Sequence, residues 1–119
     1  MNITIKARHS ELSTGSREFI EGKLAGLEKF VGHNESAMLS CEIDESMEVV
    51  RAGSKYRAEG TLTLNGKVFH AEAKGETLEE AVDTLRDELS AEVRHARGKT
   101  RNLLKRGGAR LKRMLRLAR

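Results

Sequence analysis

The stretch YRAEGTLTLNGKVFHAEAK, residues 56–74, decides the fold of this chain. Asn65-Gly66 stands between two runs that alternate in polarity, the signature of a two-residue type I′ hairpin turn. A turn of that length fixes the register. Leu64 then faces Lys67, Leu62 faces Phe69, Gly60 faces Ala71 and Ala58 faces Ala73, a largely small or apolar face. The opposite face pairs Thr61 with His70, Glu59 with Glu72 and Arg57 with Lys74. One side of the hairpin is core and the other is wet, and the two like-charge pairs on the wet side are mildly unfavourable.

Directly after the hairpin, Thr77-Leu78-Glu79-Glu80 is a capping box, in which Thr77 and Glu80 satisfy each other's backbone N–H groups. The helix it opens carries an apolar stripe of Leu78, Val82, Leu85, Leu89, Val93 and Ala96. Its early turns are acidic and its late turns basic, the order that the helix dipole favours. The chain has no proline, so nothing forces a stop before Gly98, or even before Gly107-Gly108.

Upstream, AMLSCEID at 37–44 alternates cleanly, with Ala37, Leu39, Cys41 and Ile43 on one face. Cys41 therefore reads as a small buried hydrophobe. ESMEVVRAGSK, residues 45–55, has no firm period and reads as a loop with strand extensions. In STGSREFIEGKLAGLEKFV, residues 13–31, Ser13 is an N-cap and Ile20, Leu24, Leu27 and Val31 share one helical face. Gly22 and Gly26 weaken that helix by about 1 kcal/mol each relative to alanine. The turn-like GHN at 32–34 ends it, and ITIKA at 3–7 alternates as a half-buried strand.

The order is β-α-β-β-β-α. Each helix and strand has one apolar side, so the expected architecture is an α+β two-layer sandwich. A four-stranded sheet would carry both helices on one face and leave the other polar. At 119 residues and 13.2 kDa, the expectation is one compact domain with an extension. The single cysteine excludes an internal disulfide, which suits a reducing compartment. MNITIKARHS lacks the apolar run of a secretory signal, and no 18-residue apolar stretch exists. A cytoplasmic protein without a membrane span is the expectation.

The net charge of +4 conceals a split. Residues 1–93 carry 11 Lys/Arg against 18 Asp/Glu, a balance of −7, whereas residues 94–119 carry 11 Lys/Arg and no acid. Such asymmetry points to a folded body with a polyanion-seeking extension. Arg94, Arg97, Lys99 and Arg101 form a basic ridge at the end of the second helix and just beyond it. Lys105, Arg106, Arg110, Lys112, Arg113 and Arg116 continue it. Residues 1–101 are thus read as the folded domain and 102–119 as a basic tail with a helical pattern from 109. Leu111, Met114, Leu115 and Ala118 recur there at helical spacing, which also fits a membrane-surface helix or a partner-docking helix.

Other chemistry finds little support. His9, His33, His70 and His95 are scattered, and none stands at metal-ligand spacing with a second ligand type. Gly107-Gly108 lacks the strand-to-helix setting of a phosphate-binding loop. No nucleophile and base pair up. The expectation is no enzyme, no metal, no cofactor and no small-molecule substrate. The aromatics are Phe19, Phe30, Tyr56 and Phe69 alone, with Phe69 turned to the core. A base-stacking platform is therefore not on offer, and RNA would be gripped through its phosphates.

Three segments together resemble the bacterial ribosome hibernation promoting factors, also called ribosome-associated inhibitors. They are MNITIKARHSELS (1–13), REFIEGKLAGLEKF (17–30) and LTLNGKVFHAEAKGETLEEAVDTLRDEL (62–89). The resemblance runs in matching order over roughly residues 1–101. It implies the β-α-β-β-β-α fold, which is similar to a double-stranded-RNA-binding domain. It also implies docking in the decoding region of the small ribosomal subunit, across the mRNA channel and the A and P sites, so that an idle ribosome takes neither mRNA nor tRNA. The family's basic run falls on Arg97, Lys99 and Arg101, its helix-one arginine on Arg17, its helix-one lysines on Lys23 and Lys29, and a helix-two acid on Asp83. Two features depart from the family pattern: Glu79 stands where an aromatic is usual, and the body is unusually acidic. Residues 102–119 are too short for the dimerisation domain of long members, so ribosome pairing by that route is not implied, and a monomer off the ribosome is expected. The alternatives are a general structured-RNA binder and a membrane-surface adaptor using the basic tail.

Overall fold

The computed structural model describes residues 1–8, 11–31, 36–45 and 55–96. Four strands form one sheet in the order β1-β2-β3-β4: β1 (Asn2–Arg8), β2 (Met38–Asp44), β3 (Tyr56–Leu64) and β4 (Lys67–Gly75). β1 and β2 run parallel, with Ile5 opposite Cys41, and the other two pairings are antiparallel. Between β1 and β2 lie α1 (Thr14–Leu24), a 3-10 turn (Ala25–Leu27) and the short α2 (Glu28–Val31). The last described element, α3, spans residues 78–96. This is the expected β-α-β-β-β-α arrangement in an α+β fold.

The hairpin forms as its sequence requires. Asn65 and Gly66 both take positive φ, 51° and 79°, and every pairing from Leu64–Lys67 to Arg57–Lys74 is in the expected register. Alternate strand residues and the helix stripes then meet in one core. Ile20, Leu24 and Leu27 from the first helical segment and Val82, Leu85, Leu89 and Val93 from α3 pack with Leu39, Cys41, Ile43, Ala58 and Leu62 of the sheet. Both helical segments therefore bury against the same sheet face. Burial pushes the Cys41 thiol up to about 12, with Glu42 next door adding to the effect, so it is no nucleophile at neutral pH.

Both N-caps are made, although the Glu80 side chain does not return the bond to the Thr77 N–H as a full capping box would. Ser16 N–H donates to Ser13 Oγ at 3.1 Å, and Glu80 N–H donates to Thr77 Oγ1 at 3.1 Å. The first helix is not continuous over 13–31 as its periodicity suggested. It tightens into the 3-10 turn at Ala25–Leu27, around Gly26, and resumes at Glu28. A methyl group on Gly26 would lie 3.6 Å from the Arg86 side chain, an ordinary van der Waals contact. Gly75 is tighter still: a Cβ there would sit 2.7 Å from the Ala81 backbone nitrogen, so only glycine lets β4 run directly into α3.

On the open sheet face the two like-charge pairs prove to be compensated diagonally. Arg57 Nε donates to Glu72, and the same guanidinium reaches Glu59 at 3.5 Å. His70 Nε2 lies 3.3 Å from Glu59 and its Nδ1 lies 3.1 Å from Thr61 Oγ1. Arg8 pairs with Glu42 at 3.1 Å on the neighbouring strands. Long side chains thus reach past their direct opposites to the next residue of opposite sign, which pairwise register alone does not reveal. The loop expected at 45–55 and the turn at 32–34 fall largely outside the described residues, as do His9 and His33.

Candidate nucleic-acid interface

Of the basic residues singled out in the sequence, Arg17, Lys23, Lys29 and Arg94 lie within the described structure. Arg97, Lys99, Arg101, Lys105, Arg106, Arg110, Lys112, Arg113 and Arg116 lie outside the described residues. The four that are described divide by what already holds them.

Arg17 sits in the first turns of α1, where Ser13 has fixed the helix start. Its Nη1 donates to the Ile5 carbonyl at 2.9 Å, tying α1 to β1 while the residue stays exposed. Lys23, further along α1, extends over the Phe19 ring and places its Nζ 3.2 Å from Asp83 Oδ1 on α3. That oxygen is hidden from solvent and its contact is an ion pair without hydrogen-bond alignment. Arg86 approaches the same carboxylate at 3.8 Å and also pairs with Asp87 at 3.3 Å. Lys23 and Asp83 therefore clamp the two helical segments together, and this lysine reaches an external phosphate only by leaving its carboxylate.

Lys29 and Arg94 are placed differently. The Lys29 ammonium stands 5.2 Å from the centre of the Phe30 ring, and the Arg94 guanidinium 5.5 Å from the same ring. One half-buried aromatic thus gathers two exposed cations from opposite ends of the folded sequence, where α2 passes the last turn of α3. Cation–π contact orients them without neutralising their charge. Arg94 Nε also donates to the Ser90 carbonyl at 3.4 Å. Neither side chain has a carboxylate partner among the described residues, so both remain free to neutralise phosphates. The basic run pointed to Arg94 and the family resemblance to Lys29, but neither pointed to Phe30, because nothing local links residue 30 to residue 94.

This pair marks the start of the all-basic stretch from Arg94 onward. Asp44, although on the open face, is only 8% exposed and shares a polar recess with Arg8, Arg57 and Glu59. Among the described residues no three His, Cys, Asp or Glu side chains are placed to hold a metal ion, and no helix is long and apolar enough to cross a membrane. Met38 and Val68 are exposed large hydrophobics, and both stand on the open face at the row where Met38 pairs with Thr63 and Thr63 with Val68.

The chain is similar to known proteins along most of its length. The family model described as sigma 54 modulation protein / S30EA ribosomal protein matches residues 3–101. The Ribosome hibernation promoting factor of Klebsiella oxytoca is 24% identical over 93 residues, covering 78% of this chain and 90% of that protein. The protein of the same name from Escherichia coli K12 is 25% identical over 93 residues. Among solved structures, the N-terminal domain of Thermus thermophilus Protein Y superposes with a TM-score of 0.65 at 27% identity, covering 80% of this chain and 98% of that one. A ribosomal subunit interface protein from Coxiella burnetii superposes with a TM-score of 0.66 at 17% identity, covering 82% and 99%, a likeness of fold.

Proposed function

This chain belongs to the sigma 54 modulation protein / S30EA ribosomal protein family, a family of ribosome hibernation factors, and from that premise we propose that it binds the small ribosomal subunit in the decoding region. Seated across the mRNA channel, it excludes mRNA and tRNA and so silences idle ribosomes. The role is steric and electrostatic, without a bond made or broken. The chain works in the cytoplasm and is a monomer off the ribosome.

The observation that carries this reading is the position of two exposed cations that have no carboxylate partner among the described residues. Lys29 and Arg94 converge on Phe30 at the end of the fold from which the run Arg97, Lys99, Arg101 and the basic tail depart. In this reading residues 1–101 supply the shape that fits the channel. Residues 102–119 supply much of the phosphate neutralisation, through Lys105, Arg106, Arg110, Lys112, Arg113 and Arg116. Arg17 and Lys23 lie on α1 and contribute to the same RNA-facing surface, Lys23 by exchanging Asp83 for phosphate.

Neutralised phosphates release counterions, so affinity falls steeply with salt. If six to ten phosphates are engaged, binding to small subunits weakens by about 10³ to 10⁵ between roughly 50 and 200 mM salt. Co-sedimentation with purified small subunits across that range tests this. Ending the chain at residue 101 flattens the slope, and an unchanged slope removes the tail from the interface.

A further inference from the structure

We propose that the acidic flank of α3 beside β4 is a docking groove for this chain's own basic segment 109–119, ARLKRMLRLAR. The groove is built from three features. Its floor is apolar, lined by Phe69 of β4 and by Ala91 and Ala96 of α3, with Glu92 and His95 on its wall. One side is the outer edge of β4, which has no strand partner in the four-stranded order and so leaves backbone N–H and C=O groups unused. Acids of α3 flank the groove. Glu80 abuts Gly75 at the end of β4, Glu92 lines the groove near Phe69, and Glu88 falls between them at four-residue spacing from Glu92.

The three glutamates are exposed, and none has an ion-pair partner among the described residues. Elsewhere on α3, Asp83 is paired to Lys23 and Arg86, and Asp87 to Arg86. Like charges one helical turn apart repel, so this flank is relieved by a basic partner.

The segment 109–119 has the matching chemistry. Leu111, Met114, Leu115 and Ala118 recur at helical spacing, and Arg110, Lys112, Arg113, Arg116 and Arg119 fall among them, with no acid. It is also tethered at the right place, since Ala96, the last described residue, lines the groove itself. The intervening residues 97–108 span up to about 40 Å when extended, whereas α3 from Ala96 back to Glu80 measures only about 24 Å, so the tether reaches the groove and the acids beyond it. Tethering makes the contact intramolecular, at an effective concentration a free basic peptide does not reach. The consequence is competition: the groove and ribosomal RNA recruit the same side chains, so RNA releases a tail that the free protein keeps folded onto its own body. The groove can hold the tail wherever on the ribosome the protein binds.

A paramagnetic tag at position 118 tests it. Cys41 is buried and poorly ionised, so an Ala118→Cys chain takes a nitroxide selectively at the tail. With free protein at about 20 mM salt, amide signals of Phe69, Glu88 and Ala91 should lose intensity at least about twofold relative to Lys6 on β1, and recover at about 500 mM salt. The pair Glu88→Gln and Glu92→Gln, both exposed, should restore the signals without changing the fold, as should an excess of duplex RNA. Equal quenching of β1 and β4, or quenching indifferent to both salt and the glutamine variants, overturns the proposal. Quenching that passes to an isotope-labelled untagged chain mixed with a tagged unlabelled one assigns the groove to a second copy and overturns the intramolecular occupant.

Discussion

Arg57 shows how a single residue carries an electrostatic job that strand register conceals. Its guanidinium hydrogen-bonds Glu72 and holds that carboxyl below its ordinary value of 4.5, with nearby Lys74 and His70 acting in the same sense. A carboxyl depressed on folding stabilises above its unfolded value and loses that contribution as pH falls through the folded one. Glu72→Gln should therefore lower stability at neutral pH and flatten its loss below pH 4.5, so that the two proteins converge in acid, which denaturant titrations at several pH values will read. Lys29 and Arg94 face the other way, toward a ligand. Replacing either with alanine should weaken small-subunit binding and reduce the salt slope by about 1, the mark of one phosphate fewer neutralised. Lys23→Ala is the contrast. It leaves the hidden Asp83 oxygen with Arg86 alone and should lower stability by about 1 kcal/mol in chemical denaturation.

At the scale of elements, what was legible in the sequence was what local chemistry dictates. Asn65-Gly66 imposes positive φ on two successive residues, and the register of β3 and β4 follows by counting. Ser13 and Thr77 announced their helices because a side-chain oxygen at the N-cap has one use there. The parallel pairing of β1 with β2 left no such mark, since it is set by how the intervening helix packs rather than by a turn. Nor did the 3-10 break at Ala25–Leu27, where the apolar spacing of Ile20, Leu24, Leu27 and Val31 suits an unbroken helix. Two glycines separate these cases. A methyl on Gly22 meets nothing within 4 Å, so Gly22→Ala should stabilise the fold by about 0.5–1 kcal/mol. Gly75→Ala drives a Cβ into the backbone of α3 and should cost about 1–3 kcal/mol, the penalty of overpacking, with both values read from denaturation midpoints.

For the whole molecule, the decisive property is the separation of charge. The folded body is acidic, yet Lys29 and Arg94, which have no carboxylate partner among the described residues, stand where the basic run begins. Membership of a hibernation-factor family and this polarity together support one role, in which the body is a plug for the decoding region and the basic run is its anchor. Arg94 was legible from the charge split and Lys29 from the family resemblance; their gathering on Phe30 was not, because it depends on α2 and α3 meeting in space. Titrating this chain into small subunits loaded with a short mRNA and its cognate tRNA separates a plug from a bystander. A plug displaces both as it binds, over the same concentration range, and that is the expected outcome. Small subunits that hold the protein, the mRNA and the tRNA together would contradict it.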